Sequence, residues 1–375
     1  MLLWFRMPAS SIKPPKRMLF GPGPGMVEPR VYEALSQPVV GHLDPYFFQV
    51  VDEVRELLRR AFGTRNELTI AISGTGSSGM ETAVSNFVEP GTKVAVFANG
   101  FFCDRITEMA CREGASVARF EKPWGEVFEA DEAAEFIQRE KPQVVAFVHA
   151  ETSSGALQTP KPICDAAHEA DAIVIADTVT SLGAVPVNVD VNGIDIAYSC
   201  TQKGLSCTPG LSPITVSPRA EERLRARKTK PRDWYLDLNL LKDYYNGRKY
   251  HHTASASLFY ALCESLRVIA EEGLENRFDR HVRAHRAFVG KMAEMGIEMH
   301  VEEGHRIPHL NTPRVPEGVD DVKVRKYLLE KHGIEIAGGF GQLAGKVFRI
   351  GVMGPMATPE NVDMFVSAFR EALAA

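Results

Sequence analysis

The stretch TIAISGTGSSGMETA, residues 69–83, joins an alternating apolar run to a glycine-rich corner and a helix-like continuation. It predicts a strand, a tight turn and the start of a helix. Gly74, Gly76 and Gly79 match the spacing G-x-G-x-x-G, which in other proteins places backbone amides and a helix N-terminus around a pyrophosphate. The stretch therefore predicts a phosphate-binding corner at the edge of a sheet.

The phosphate at this corner does not have to belong to a dinucleotide. A dinucleotide fold needs an acidic residue about 20 positions beyond the glycines, to hold the ribose hydroxyls. Here the next apolar run, KVAVFANG at 93–100, ends in asparagine and glycine. The hydroxyls of Thr75, Ser77 and Ser78 suit a terminal phosphate monoester better. An NAD-dependent oxidoreductase and a glycine corner that only packs a helix remain as alternatives.

Composition limits the class of partner. The chain has 375 residues, which favours about two domains, and its 45% hydrophobic and 24% charged residues are typical of a soluble globular protein. A net charge of -5 provides no basic surface for nucleic acid or for an anionic membrane. We therefore expect small-molecule partners.

The cysteines and the first residues bear on compartment. The 6 cysteines form no C-x-x-C pair and no cluster with histidines, which predicts no metal site and a reducing, cytoplasmic location. The apolar patch before Arg6 is too short for a signal peptide or a membrane span. We expect residues 1–19 to form an extended arm, and translation could begin at Met1 or Met7.

Short apolar runs alternate with helical patterns along the chain. Because these runs are apolar on both faces, they suit strands covered by helices on both sides, and the fold class is α/β with a mostly parallel sheet. Ligands of such sheets bind at the carboxyl ends of the strands. The predicted strands after the opening one lie at 93–100, 144–150, 172–177, 195–200 and 213–217.

The pattern changes near residue 270, where a long charged helix begins. We predict an arm at 1–19, a large domain at 20–270 and a smaller domain at 271–375. Earlier in the chain, apolar residues at helical spacing from Phe47 to Ala61 predict a helix that ends at Gly63.

Two residues at predicted strand ends suggest a cofactor. Asp177 ends the apolar run AIVIAD, where a carboxylate needs a cation or a hydrogen-bond donor. Lys203 lies among small uncharged residues, and desolvation of a lysine favours the neutral amine that forms Schiff bases. Singly, they also fit a loop lysine and a helix cap. Together with the phosphate corner they match a pyridoxal 5'-phosphate site, in which the carboxylate keeps the pyridine nitrogen protonated.

With these residues, the chain resembles the class V aminotransferases, which are fold type I pyridoxal phosphate enzymes. Within this family it resembles the alanine:glyoxylate and serine:pyruvate aminotransferase branch. The resemblance implies a mostly parallel seven-stranded sheet in a large domain and a smaller C-terminal α+β domain. It also implies a homodimer with active sites at the subunit interface. The motifs that carry it are LFGPGPG, ISGTGSSGMETA, HAETSSGALQ, ADTVTSLG, SCTQKGLSCTPG, RKTKPRDWYLDL, YHHT and GKVFRIGVMG.

The resemblance also implies roles around the cofactor ring. Lys203 holds the cofactor aldehyde and, once freed, carries the proton between the substrate Cα and the cofactor, while Asp177 pairs with the pyridinium nitrogen. Thr152 bonds the ring hydroxyl and Val179 contacts one face. Phe102 stands where relatives have tryptophan or histidine, so we expect weaker cofactor retention; it could also be a core aromatic.

The phosphate and the substrate have implied ligands of their own. Arg349 matches the arginine that clamps the substrate α-carboxylate, although alone it could be a solvent-facing strand residue. Gly25 lies in the loop that limits side-chain room. The implied phosphate ligands are Thr75, Gly76, Ser77 and Gln202, joined by Tyr250 and Thr253 of the neighbouring subunit.

The implied reaction is ping-pong transamination from a small amino acid, alanine or serine, to glyoxylate, giving glycine and a 2-oxo acid. Alanine or serine as donor, and glyoxylate or pyruvate as acceptor, stay open. A cysteine desulfurase of the same class is disfavoured, because no cysteine follows Cys263. A noncatalytic binding protein gives no reason for Lys203 and Asp177 to occur together.

Overall fold

The computed structural model describes residues 12–375. Most of the predicted arm, with Met1 and Met7, lies outside the described residues. The strands are β1 (Met18–Leu19), β2 (Leu68–Ser73), β3 (Lys93–Ala98), β4 (Ser116–Glu121), β5 (Val144–Val148), β6 (Ala150–Glu151), β7 (Ala156–Leu157), β8 (Ile173–Asp177), β9 (Ile196–Tyr198), β10 (Leu211–Val216), β11 (Leu310–Asn311), β12 (Ile334–Glu335), β13 (Ala337–Gly338) and β14 (Phe348–Gly351). The α-helices are α1 (Pro29–Leu35), α2 (Pro45–Phe62), α3 (Gly76–Phe87), α4 (Phe101–Arg112), α5 (Ala130–Glu140), α6 (Pro160–Glu169), α7 (Val189–Asn192), α8 (Pro218–Arg225), α9 (Leu238–Tyr245), α10 (Ala256–Glu272), α11 (Leu274–Glu294), α12 (Asp321–Tyr327) and α13 (Pro359–Ala374).

A central sheet of 7 strands has the order β2-β10-β9-β8-β5-β3-β4. Its strands run parallel except β10, which is antiparallel to both β2 and β9. The predicted α/β class with a mostly parallel seven-stranded sheet is confirmed. Because β5, β8 and β9 are parallel neighbours, the residues that follow them meet at one edge of the sheet.

The opening stretch folds as strand β2, a turn and helix α3. Gly74 has φ 143°, a conformation that favours glycine. A Cβ on Gly79 would lie 2.2 Å from Ser212 Oγ on β10, so helix and sheet approach closely there. The glycine spacing therefore allows helix α3 to pack closely on the sheet. In this arrangement the amides at the start of α3 are available to a ligand.

The helices follow their sequence signals. Helix α2 ends at Gly63, which is left-handed at φ 66°, and Asp44 caps its start by accepting from Tyr46 N. Thr358 caps α13 by accepting from Asn361 N at 3.2 Å. No helix within residues 12–375 combines the length and the apolar character that crossing a bilayer requires.

The buried apolar side chains form two main cores. The larger contains residues from Val31 to Ile269 and surrounds the central sheet. The second is built mainly from α11, α13 and β14, and it also contains Phe20. Strand β1, just before Phe20, pairs in parallel with β12. Phe20 packs on the second core, which is otherwise C-terminal. The predicted domain boundaries after residues 19 and 270 stay a prediction.

Candidate active site

A cavity of about 330 Å³ opens at the carboxyl ends of the central strands. Its walls come from the loops after β2, β6, β8 and β9, the start of α4, the loop before α1 and the segment from β12 to β14. The structure brings ten of the predicted site residues to its lining: Thr75, Gly76, Ser77, Phe102, Thr152, Asp177, Val179, Gln202, Lys203 and Arg349.

The phosphate end of the cavity is the start of α3. Thr75 is the N-cap residue and its side chain makes no capping hydrogen bond, so the first amides of the helix keep their capacity to bind an anion. Gln202 Oε1, from the loop after β9, is buried and has no hydrogen-bond partner within residues 12–375. Both features suit a polar ligand between α3 and Gln202.

Arg105 lies beside this end, and the sequence reasoning missed it. Its Nη1 donates to Ser77 Oγ at 3.0 Å, and its guanidinium carbon lies 5.1 Å from the centre of the Phe102 ring. No carboxylate among residues 12–375 lies within 4.0 Å of it. A cation beside a helix N-terminus favours an anion between them. Its place on α4 directly after β3 is the signal that could have found it.

Asp177 lies at the end of β8 and is 2% exposed. One carboxylate oxygen accepts from Val179 N at 2.8 Å and the other from the Tyr198 hydroxyl at 2.9 Å. Burial raises its pKa to about 6, although these donors act in the opposite direction. Tyr198 was not predicted; its hydroxyl within the apolar run of β9 is the signal that could have found it.

Lys203 is 8% exposed and lies in the loop between β9 and β10. Its Nζ donates to Thr152 Oγ1 at 2.9 Å and to Thr180 Oγ1 at 3.3 Å. Burial lowers the pKa of this amine to about 8, so a substantial fraction is neutral in mildly alkaline solution. No carboxylate oxygen among residues 12–375 lies within 4.0 Å of Nζ, although Asp177 and Glu151 act on the amine at longer range.

Phe102 and Val179 line the space between Lys203 and α3. The Phe102 ring centre lies 6.0 Å from Lys203 Nζ. A Cβ on Gly76 would lie 3.0 Å from Val179 Cγ2, so glycine at the start of α3 lets the helix approach this side chain. An aromatic ring and a branched aliphatic side chain suit the faces of a planar ligand.

Arg349 on β14 lines the wall contributed by the C-terminal segment and is 5% exposed. Its Nε donates to Gly338 O at 2.7 Å, and its guanidinium carbon lies 3.9 Å from the centre of the Phe340 ring. Burial lowers its pKa to about 10. No carboxylate among residues 12–375 lies within 4.0 Å of it, so it can receive the carboxylate of a ligand.

Three predicted site residues do not line the cavity. Gly25 directly follows the lining residues Gly21 to Pro24 along the chain, and its N–H donates to Gln202 O at 2.8 Å. At the other end of the same loop, Gly351 N donates to Phe20 O at 2.7 Å. Tyr250 and Thr253 are exposed in the segment between α9 and α10. Their predicted roles stay predictions.

The arrangement fits pyridoxal 5'-phosphate. The amides at the start of α3 and the Arg105 guanidinium can donate to a phosphate, Asp177 can hold a protonated ring nitrogen, and Lys203 supplies an amine for an aldehyde. Fold and site together define an α/β pyridoxal phosphate enzyme.

Comparison with known proteins gives the family. The model of the family described as aminotransferase class-V matches residues 28–365. The alanine–glyoxylate aminotransferase of Callithrix jacchus is 38% identical over 374 residues, covering 98% of this chain and 90% of its own. The (S)-ureidoglycine–glyoxylate transaminase of Bacillus subtilis is also 38% identical, covering 96% and 91%.

A solved structure agrees with these relatives. The alanine–glyoxylate aminotransferase of Nostoc sp. superposes with a TM-score of 0.97 at 46% identity, covering 98% of each chain. The chain belongs to the class V aminotransferase family, and its cofactor is pyridoxal 5'-phosphate. The predicted family and cofactor are confirmed.

Proposed function

We propose that this protein transfers the amino group of a small amino acid, alanine or serine, to glyoxylate in a ping-pong reaction, giving glycine and a 2-oxo acid. The observation that carries the proposal is the buried Lys203 amine, which shares one cavity with Asp177 and with Arg349, whose guanidinium has no carboxylate within 4.0 Å among residues 12–375. The names of the Callithrix and Nostoc relatives support glyoxylate and alanine as substrates.

When bound, pyridoxal 5'-phosphate supplies an aldehyde that exchanges with an amino group and a ring that accepts electrons. Lys203 Nζ, with a pKa lowered to about 8, would take the proton from the substrate Cα and deliver it to the carbon of the bound cofactor that carried the aldehyde. Asp177 holds the proton on the ring nitrogen, since its carboxylate is fixed by Val179 N and the Tyr198 hydroxyl. Thr152 orients the ring hydroxyl.

Arg349 binds the α-carboxylate of the substrate. The ring of Phe340 covers one face of the guanidinium, so a carboxylate binds it edge-on through the remaining N–H groups. The loop that contains Gly25 sets the room left for the substrate side chain, which favours small amino donors.

We also propose a homodimer in which Tyr250 and Thr253 reach the partner's phosphate. Tyr250 is 64% exposed and its ring lies 5.4 Å from that of His42, and the chain around His42 carries exposed apolar side chains at Val39, Leu43 and Tyr46. Exposed apolar surface of this kind is typical of an interface. The 6 cysteines are free thiols, which supports the predicted cytoplasmic location.

A second donor is favoured by one observation. The ureidoglycine–glyoxylate transaminase of Bacillus subtilis is as similar to this chain as the alanine–glyoxylate aminotransferase of Callithrix. Its structure superposes with a TM-score of 0.95 at 38% identity. (S)-Ureidoglycine is therefore the alternative amino donor to the same acceptor.

The test is a panel of amino donors with the cofactor-loaded protein. Alanine, serine, (S)-ureidoglycine and aspartate are each mixed with the enzyme, and the visible absorbance of the cofactor is followed before and after glyoxylate or pyruvate is added. We expect alanine or serine to bleach this absorbance and glyoxylate to restore it. If no donor changes the absorbance, transamination is the wrong reaction; if only (S)-ureidoglycine does, the donor proposal is wrong.

A further inference from the structure

Thr180, three residues beyond the end of β8, contacts the reactive amine, and neither the sequence motifs nor the family resemblance assigns it a role. It is 1% exposed. Its hydroxyl lies 3.3 Å from Lys203 Nζ, and that of Thr152 lies 2.9 Å from the same nitrogen. The two threonine hydroxyls are also hydrogen-bonded to each other.

Among residues 12–375, Lys203 Nζ has no hydrogen-bond partner besides these two hydroxyls. The titratable or charged groups that face it from the surrounding elements act through the electric field. They are Cys200, Asp177, Glu151, Arg349 and His309. The orientation of the amine therefore depends on Thr152 and Thr180.

The number of acceptors matters because of the valence of a neutral amine. A neutral primary amine has two N–H bonds and one lone pair, and only the lone pair can take a proton from carbon. With one acceptor, the amine can rotate about the Cε–Nζ bond and turn its lone pair away from the substrate. With two acceptors, both N–H bonds are directed and the lone pair is held in one direction.

We propose that Thr180 is a positioning residue, which together with Thr152 holds both N–H bonds of the Lys203 amine so that its lone pair points at the substrate Cα. The proposal rests on the proposed function, in which this amine carries the proton. The hydrogen bond between the two hydroxyls fixes the separation of the two acceptors. Thr180 itself gives and takes no proton.

The substitutions that test the proposal are Thr180→Val, which removes the hydroxyl at nearly constant volume, and Thr180→Ser, which keeps it. Thr178→Val is a matched control, because Thr178 is 0% exposed and its hydroxyl donates to Tyr198 O at 2.8 Å, away from Lys203. Thr180→Ala serves as a second hydroxyl-free variant if the valine disturbs folding.

Each protein is loaded directly with pyridoxamine 5'-phosphate, so that Lys203 is a free amine without any need for turnover. Two quantities are measured across pH. One is the rate constant for single-turnover reaction with glyoxylate. The other is the rate at which acetic anhydride acetylates Lys203, quantified by peptide mass spectrometry, which reports the protonation of the amine in the absence of substrate.

For Thr180→Val and Thr180→Ala we expect the single-turnover rate constant to fall by about tenfold, while Thr180→Ser and Thr178→Val stay within about twofold of the parent. Loss of an acceptor disfavours the ammonium form, so the acetylation midpoint should move to lower pH by about 0.5 to 1 unit in the hydroxyl-free variants alone.

The proposal is overturned if Thr180→Val and Thr180→Ala match Thr178→Val in both quantities, or if Thr180→Ser is as impaired as Thr180→Val. Failure of the proposed function gives a different result. In that case even the parent protein does not react with glyoxylate, whereas the acetylation midpoint still shows whether Thr180 accepts a hydrogen bond from Lys203.

Discussion

Lys203 and Arg349 are two buried basic residues in one cavity, and they differ in their contacts and in their pKa values. Lys203 Nζ meets two hydroxyls, and burial brings its pKa down to about 8. Arg349 meets a backbone carbonyl and an aromatic face, and its pKa falls only to about 10. Neither side chain has a carboxylate partner within 4.0 Å among residues 12–375.

The difference shows how one environment supports two kinds of chemistry. Desolvation moves both pKa values downward, but arginine starts so high that it remains charged at neutral pH, whereas lysine reaches the range where it exchanges protons. A fixed charge suits a carboxylate, and a titrating amine suits proton transfer.

The largest expected effect on turnover comes from removing the Lys203 amine. In Lys203→Ala the turnover with alanine and glyoxylate should fall by about 100- to 10,000-fold, because a positioned base contributes that much to proton transfer. Steady-state assays of glycine formation measure it. Lys161→Ala, which removes an exposed lysine paired with Asp165, is the control. Near-normal turnover in Lys203→Ala would exclude the lysine from the reaction.

Stability should reveal the same pKa shift without any substrate. The unfolded chain binds a proton at Lys203 up to its ordinary pKa of 10.5, whereas the folded protein releases it near pH 8. The unfolding free energy should therefore rise between pH 8 and 10.5, by about 3 kcal/mol for this group.

Lys203→Met should abolish that rise and stabilise the cofactor-free protein at pH 7, where the charged amine is otherwise buried. Urea unfolding at several pH values gives the slopes of the two proteins. Parallel slopes over this range would mean that the pKa of Lys203 is ordinary in the folded state.

Removing the charge of Arg349 should have a smaller effect on activity than removing Lys203, and this effect should come from weaker substrate binding. Arg349→Ala should lower kcat/KM for alanine by about 10- to 100-fold, since a hydrogen bond to a charged group contributes about 1.5 to 3 kcal/mol. Arg349→Lys should recover only part of this, because an ammonium cannot grip a carboxylate with two parallel bonds. Steady-state kinetics measure kcat/KM for these variants, with Arg314→Ala as a control at an exposed arginine. Full activity in Arg349→Lys would refute bidentate binding.

The sequence predicts the parts of the site that are local. The corner at 69–83 carries its strand, turn and helix signals within one short stretch, and Asp177 follows directly from an apolar run. Lys203 is suggested by uncharged neighbours along the chain. Each of these signals is readable without knowing which strands are adjacent.

Residues that act across elements could not be predicted in this way. Tyr198 reaches Asp177, and Thr180 reaches Lys203, because β8 and β9 are neighbours in the sheet. Phe340 covers Arg349 because β13 pairs with β14. These contacts depend on strand order, which periodicity along the chain does not report.

The loop from Gly21 to Gly25 connects the part of the cavity that contains Lys203 to the part that contains Arg349. At one end Gly25 N is bonded to Gln202 O, next to Lys203, and at the other Phe20 O is bonded to Gly351 N, two residues from Arg349. A tether of a few residues therefore sets the span between amine and guanidinium. The distance from Cα to carboxylate is common to all α-amino acids, so this span suits the part that every amino donor shares, while the loop itself limits the room for the side chain.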